Sequence, residues 1–410
     1  MKRTLGLCIA FLPCIISAQT SDEALGTQDD DIVKMPTLHV VETMAANDSP
    51  SAGFATPVTF LRFLPAVDVQ ARGFAETQCD VVIRGGIFEN TGFKIGAVNL
   101  MDPQTGHYSS ELPIDPMMLS NPKILTGVDN AANGLNSSVG TVDYSWLPIT
   151  SAGTAEIGAG TDSLFFARFI SGYKSDAPVV LGRTLAVQVA SSYSRGNGTI
   201  DHTDHRFQRY GLRLQLAGRE GQTDLYAGYQ KKFYGWPGMY TTSAAYPESD
   251  KYEVGMLILN HTQKYGDDSR WSFGAYARQL LDDYELKRTV PGYYRPYQHE
   301  TLVSGIAAEG EHNFAQGWTL DWRAEADSDS IDSTDLTYAG FMSRSYWKGS
   351  LEAGKQLTIG SGEVLIQVGA NYEDSNRDAS GFGPMARVTY NQSTRGGFIS
   401  TYAEYSRATQ

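Results

Sequence analysis

Side chains able to do chemistry are sparse in this sequence and fall in small groups. Asp201-His-Thr-Asp-His205 places two histidines and two carboxylates within five residues, nitrogen and oxygen donors that could hold a divalent metal. A polar loop is the favoured reading, because no pattern of partners that would orient metal-bound histidines is legible around the run. Asp282-Asp283 with Glu285 falls on an alternating segment and is expected to face an interior lumen. The acidic run from Glu325 to Asp332 reads as a solvated loop. No Ser/His/Asp order, phosphate-binding glycine loop or zinc motif stands out. Neither enzyme activity nor a cofactor or bound metal is expected.

The most informative stretch is Asp80-Val-Val-Ile-Arg-Gly-Gly-Ile-Phe-Glu-Asn90 and its continuation to Tyr108. It opens as a short β run ending at Ile83, which Arg84, Gly85 and Gly86 break. Phe93 to Ile95 reads as a second short strand. Asp102, Pro103, Gln104, Thr105 and Gly106, followed by His107, read as a turn with a mechanism: Asp caps it, Pro fixes φ and Gly supplies positive φ. Taken alone, the stretch fits any small α+β domain with tight turns.

The elements around it narrow the choice. The chain has 410 residues, too many for one ordinary core. It carries 42 Gly and 23 Tyr, and no apolar run of the length a membrane helix needs follows the first twenty residues. That composition also suits a transmembrane β-barrel, whose strands turn only half their residues to lipid. Residues 1–18 (a basic Met-Lys-Arg start, an apolar core and a small residue at Ala18) form an expected secretory signal. Its removal takes Cys8 and Cys14 and leaves Cys79 alone, so no intramolecular disulfide can form. The net charge of −13 argues against nucleic acid as a partner.

Residues 19–53 read as a polar, acidic tether containing one β-prone island, Met35 to Thr43. The island is either an ordinary first strand or a strand held free for a partner to pair with. Residues 54–148 read as a compact domain of short elements, with a helix or turn over 57–65, a strand over 67–72, a short helix opened by Asp115 and Pro116, a strand over 122–126, small turn-rich residues over 130–140 and a closing strand from Thr141. From 154 to 410 the pattern changes to segments of about ten alternating residues, as in barrel strands. Leu212, Leu214 and Leu216 share one face and Arg213 and Gln215 the other. Further segments fall near 252–262, 270–283, 300–313, 317–328, 336–347, 349–359, 362–372, 383–391 and 396–407. Short turns at 265–269 and 360–362 alternate with long ones at 196–205, 234–250 and 287–298, the asymmetry of an outer-membrane barrel. Aromatics such as Tyr193, Tyr229, Trp271, Trp318 and Trp347 cluster toward strand ends. The competing reading is a soluble β-rich sandwich or propeller, but no propeller-length repeat is present.

Signal, free β-prone box, small α+β domain and then many alternating strands, in that order, resemble a TonB-dependent outer-membrane receptor. Ile83-Arg84-Gly85-Gly86 resembles the family's plug signature, and Asp102-Pro103-Gln104-Thr105-Gly106-His107 resembles a run found in one branch of it. Leu38, His39, Val40, Val41, Glu42 and Thr43 resemble the TonB box. The likeness covers the whole chain in layout and reaches motif level over about 37–145. Three positions depart from the pattern: Gly96-Ala97 stands where the family has Asp-Gly, Thr126-Gly127-Val128 where it has Arg-Gly-Pro, and Val139-Gly140 where it has paired glycines.

The resemblance implies an antiparallel all-β membrane barrel behind an N-terminal α+β plug domain, in the outer membrane of a Gram-negative cell. It implies active uptake of a scarce small extracellular ligand (an iron-siderophore, cobalamin or similar chelate) and, as partners, the periplasmic C-terminal domain of TonB and the lipid bilayer. Glycan uptake, a passive plugged barrel, an adhesin and a non-transporting remnant stay open as alternatives. Such receptors have 22 strands around a plugged lumen. The region after residue 153 holds about 12 to 14 at barrel strand lengths, too few to close around a plug. The chain is therefore expected to be an N-terminal portion of a longer receptor.

Overall fold

The computed structural model describes residues 54–71, 76–266, 268–294, 297–336, 342–394 and 397–407, without the side chains of 393, 394, 397 and 398. The expected signal, the tether and the box from Leu38 to Thr43 lie outside the described residues.

Two kinds of strand divide the chain. Up to Trp146 the strands are short and held by tight turns. β1 (Val67–Ala71) and β2 (Cys79–Ile83) form an antiparallel pair. β3 (Thr91–Ile95), β4 (Val98–Leu100), β5 (Lys123–Leu125) and β6 (Gly140–Tyr144) form a second sheet in the order β4-β3-β6-β5, with β3 and β6 parallel. Every residue of β2 and β3 is buried, Asp80 and Lys94 included, so burial does not alternate along these strands. The expected helix near Pro116 is a single 3₁₀ turn, Pro116–Met118, and Asp115 caps it by accepting from the Met117 N–H. The turn-rich reading of 130–140 needs correction. A short helix, α1 (Gly127–Asn133), occupies its first part, with Val128 and Ala131 buried against Met385.

The second kind builds one sheet of thirteen strands, each paired with its neighbours in sequence. They are β7 (Gly153–Ala159), β8 (Phe165–Lys174), β9 (Thr184–Gly196), β10 (His205–Ala217), β11 (Gly221–Pro237), β12 (Pro247–Tyr265), β13 (Ser269–Glu285), β14 (Tyr297–Phe314), β15 (Trp318–Ser333), β16 (Ser343–Ile359), β17 (Gly362–Ser375), β18 (Gly381–Thr394) and β19 (Gly397–Ser406). Among the described residues β7 and β19 remain unpaired edges, so the sheet is an open wall.

Alternation decides what each face of the wall meets, and it is inverted relative to a soluble protein. In β10, Phe207, Arg209, Arg213 and Gln215 are buried, while Tyr210, Leu212 and Leu214 are exposed. Leu225, Leu257, Leu259, Leu302, Ile306 and Leu351 extend that apolar exposed face over neighbouring strands. No helix among the described residues is long and apolar enough to cross a membrane.

Connections along one edge are short, 218–220, 266–268, 315–317 and 360–361, with 175–183 the exception. Along the other edge they run 197–204, 238–246, 286–296 and 334–342, with 160–164 and 376–380 five residues each. The segments expected at 336–347 and 349–359 are one strand, because Gly349, the residue that could break them, has no positive φ. The acidic run expected as a solvated loop lies on β15, where Glu325, Asp327 and Asp329 are buried in the inward phase. The loop expected over 234–250 shrinks because Tyr234 pairs with Asp250 and the ladder continues to Pro237 and Pro247.

The small domain packs on the inward face. Val81, Ile83, Phe93, Ile95, Val98, Val142 and Tyr144 share one buried cluster with Tyr226, Met256, Ile258, Tyr276 and Val303 of the wall.

Candidate functional site in the plug-like domain and its seat

The site begins where β2 stops. Arg84 (φ +49°) and Gly85 (φ +72°) are consecutive left-handed residues, and this turn ends the strand. The Arg84 N–H donates to Ala66 O at 2.8 Å and the Gly86 N–H to Ile83 O at 3.0 Å. A Cβ on Gly86 would sit 2.3 Å from Val139 Cγ1, so the second glycine is required by close approach rather than by its own φ. The Arg84 side chain is exposed. A left-handed residue at a strand end turns its side chain out of the sheet, and Ile83 before it is fully buried.

The run from Met101 to Tyr108 is the best-anchored loop of the domain. Asp102 Oδ1 accepts from the Gln104 N–H at 3.0 Å, and Gly106 has φ +76°, as the turn chemistry of the sequence requires. One wall residue holds both ends of the run. Arg278 of β13 donates from Nη1 to Asp102 Oδ2 at 2.5 Å and to Met101 O at 3.0 Å, and from Nη2 to Tyr108 O at 2.6 Å. Gln104 Nε2 donates to Asp282 Oδ2 at 2.6 Å, and the Tyr108 hydroxyl to Asp250 Oδ2 at 3.0 Å. His107 Nδ1 lies 2.7 Å from Asp80 Oδ1, and its ring stacks on Phe88 with centroids 4.4 Å apart. Pro103 and Thr105 complete the loop without binding the wall in this way.

Asp250 and Asp282 meet carboxyl to carboxyl. Oδ1 of each is buried and has no hydrogen-bond partner among the described residues. Arg278 of the same strand as Asp282 is committed to Asp102.

The rest of the seat follows the same rule: a basic or amide side chain of the wall caps main-chain carbonyls of the small domain. Arg209 reaches Ala55 O at 2.7 Å and Asp115 Oδ2 at 3.1 Å. Arg213 reaches Met118 O at 3.1 Å and Leu147 O at 2.7 Å. Lys232 reaches Glu111 Oε2 at 2.7 Å and Glu76 O at 2.9 Å. Arg323 reaches Ala97 O at 2.7 Å, and Lys348 donates to Gly134 O. Asn260 brackets the β3–β4 turn, accepting from the Ala97 N–H at 3.0 Å and donating to Ile95 O at 3.2 Å. It also explains Gly96 at this turn, whose φ is +58° and whose added Cβ would lie 2.5 Å from Asn260 Oδ1. A domain built largely of loops leaves many carbonyls without ladder partners, and buried carbonyls require donors.

Burial shapes the ionisation of the small domain. It raises the Glu76 carboxyl above its ordinary value despite the opposing charges of Arg62 and Lys232. It pushes the Cys79 thiol far up, with the nearby Glu76 and Glu111 adding to the effect.

Sequence reasoning marked the inward phase of Arg213 and Gln215 but missed Arg209, Lys232, Arg278 and Arg323 as the seat. The available signal was the same alternation: each lies two or four residues from an inward neighbour. The Asp201 to His205 group does not assemble as a metal site. Asp204 pairs with Arg288, His205 bonds Ser194 Oγ at 2.9 Å, and no cluster of metal ligands is found among the described residues.

No protein-family model and no curated protein matches the sequence. Solved structures share its fold. The alcaligin outer-membrane receptor FauA from Bordetella pertussis aligns over 87% of this chain and 60% of its own at 12% identity, with a TM-score of 0.58. The copper transporter OprC aligns over 88% and 60% at 12% identity, with a TM-score of 0.63. The unliganded ferric citrate transporter FecA aligns over 86% and 60% at 13% identity, with a TM-score of 0.58. The fold is that of a TonB-dependent outer-membrane receptor, a plug against a barrel wall. The chain spans about 60% of the length of these receptors.

Proposed function

We propose that this chain forms the plug and adjoining barrel wall of an outer-membrane receptor for active uptake of a scarce metal chelate, of the iron-siderophore or cobalamin kind. In this reading, residues 1–18 direct export, 19–53 tether the box, 54–148 form the plug and 154–410 the part of the barrel present. The long connections face outward and the short ones face the periplasm. The observation that carries the reading is the seat of the 101–108 run. A loop-built domain is lodged against the polar inner face of an apolar-outside sheet by directional hydrogen bonds. Such a seat holds the domain firmly, yet water entering the lumen can replace its bonds one by one.

The energy to displace the plug arrives in this reading from the inner membrane, through TonB adding a strand to Leu38–Thr43. The matched structures are transport receptors rather than enzymes, and the reading assigns no catalytic step. The test is deletion of residues 37–43 in cells offered radiolabelled ferric chelates. Binding at the cell surface is expected to persist and uptake to stop; uptake that survives the deletion refutes the box.

A further inference from the structure

The anchoring of the 101–108 run uses one ring nitrogen of His107 and leaves the other. Nδ1 lies 2.7 Å from Oδ1 of Asp80, whose side chain on β2 is fully buried. Phe88 stacks on the ring at 4.4 Å, with the two planes 18° apart. Carboxylate and stack together fix the plane of the imidazole. With Nδ1 donating to a carboxylate, Nε2 carries the lone pair. Nε2 makes no hydrogen bond among the described residues, and the side chain is 19% exposed, so the lone pair is open to solvent.

An oxygen donor stands beside it. Gly106, the residue before His107, closes against Glu89: a Cβ there would lie 3.0 Å from Glu89 Cγ and 3.1 Å from its Cα. The Glu89 side chain is exposed and has no ion pair or hydrogen bond among the described residues. The 3₁₀ turn Phe88–Asn90 therefore supplies the stacking ring and a carboxylate together. The group lies on the long-connection side of the domain. Tyr240 of the 238–246 connection donates to Gln78 Oε1 at 2.7 Å, and its ring centroid is 6.1 Å from that of His107.

A histidine held by a buried carboxylate at one nitrogen, with the other open, has the arrangement of a metal-bound imidazole. One nitrogen and one oxygen donor suit a borderline metal such as copper, nickel or cobalt. They are too few for a resident ion, which takes three or more protein ligands, and no such group is found among the described residues. They suffice for a metal that arrives with most of its positions already filled by a chelator. A complex with every position filled offers His107 nothing to bind.

We propose that His107 Nε2, with Glu89 beside it, coordinates the metal of the cargo directly, and that the cargo is a chelate whose metal keeps an exchangeable position. Asp80 is the positioning residue. The inference rests on the uptake reading above and narrows its ligand: a corrin-held cobalt with an exchangeable axial position fits, and a closed hexadentate ferric complex does not.

The test uses the whole chain purified in uncharged detergent micelles and two probes. Copper(II)–iminodiacetate keeps an equatorial position open, and copper(II)–EDTA keeps none. The open probe is expected to bind, and pulsed electron paramagnetic resonance to show an imidazole nitrogen coupled to the copper. His107→Gln, whose amide still donates toward Asp80, is expected to weaken binding about tenfold or more and to remove that signal. His202→Gln, at an exposed histidine of the 197–204 connection, is expected to change neither. Asp80→Asn is expected to lower affinity about tenfold and to shift the coupling of the remote ring nitrogen, which a purely structural role would leave alone. Unchanged binding and signal in His107→Gln overturn the site. So does equal binding of copper(II)–EDTA, or the same loss in His202→Gln. An unsubstituted chain whose copper spectrum lacks imidazole overturns it whether or not the variants fold. The uptake reading is decided separately, because binding in micelles does not depend on residues 37–43.

Discussion

The two faces of a single strand, β10, solve opposite problems. On the inward face, Arg209 and Arg213 are 2% and 0% exposed and spend their donors on plug carbonyls. On the outward face, Tyr210 and Leu212 are 50% and 44% exposed and bind nothing polar. A soluble sheet would bury the leucines and expose the arginines. Here the buried side is specified by direction, because a hydrogen bond fixes geometry and an apolar contact does not. The exposed side is specified by transfer energy alone. The plug's position is therefore encoded in a few arginines, and the depth of the wall in the bilayer is encoded in many replaceable aliphatics.

The largest expected break of this contrast is Arg278→Ala. It strands Asp102 as a buried charge and removes the donor to Met101 O and Tyr108 O. A loss of about 3–5 kcal/mol is expected in urea unfolding from detergent micelles. Leu257→Arg attacks the other face at a residue 55% exposed. It is expected to cost about 2–4 kcal/mol when the chain is folded in lipid vesicles, and far less in the plug's own resistance to proteolysis. Equal effects of the two variants on plug proteolysis would show that the faces are not independent.

Gly86→Ala forces a Cβ against Val139 Cγ1 and is expected to cost about 1–3 kcal/mol, with Gly86→Ala/Val139→Ala regaining much of it. Asp282→Asn places an N–H donor beside Asp250, whose Oδ1 has no hydrogen-bond partner among the described residues, and is expected to change stability by less than about 1 kcal/mol in the same urea titration. A large loss would mean that the Asp282 carboxylate itself is needed to hold Gln104. Cys79, with its thiol raised by burial, is expected to resist maleimide even at alkaline pH, where an ordinary thiol reacts faster. Rapid labelling of the folded chain would show that β2 opens spontaneously.

The outward face was easy to read from the sequence, since Leu212, Leu214 and Leu216 repeat at period two and nothing competes with that signal. The turn at Asp102 to Gly106 was equally legible, because each residue type has one local job there. The inward face was not. Glu325, Asp327 and Asp329 look like solvent-loving residues in any window of sequence, and only their partners make them interior. Asn99 donates to Glu325 from 226 positions away, a relation that no local pattern contains. Arg84 shows the converse: its left-handed backbone, at φ +49°, ends β2 while its side chain stays exposed, and residue type alone does not announce that. The box from Leu38 to Thr43 stays an inference from sequence.

The sheet's strict neighbour-to-neighbour order has a consequence for how the molecule assembles. Every ladder in the wall joins strands that follow one another, so it closes by short hairpins that form early and independently. The seat has the opposite character. Asn260 meets Ala97 across 163 positions, Arg278 meets Met101 across 177 and the Val128 N–H meets Glu404 across 276. Those closures gain nothing until the strands that carry the partners are made, from β12 onward for these three, so the small domain must wait in a partly formed state while the hairpins accumulate. Mutations at the seat would lengthen that interval before they altered the finished structure.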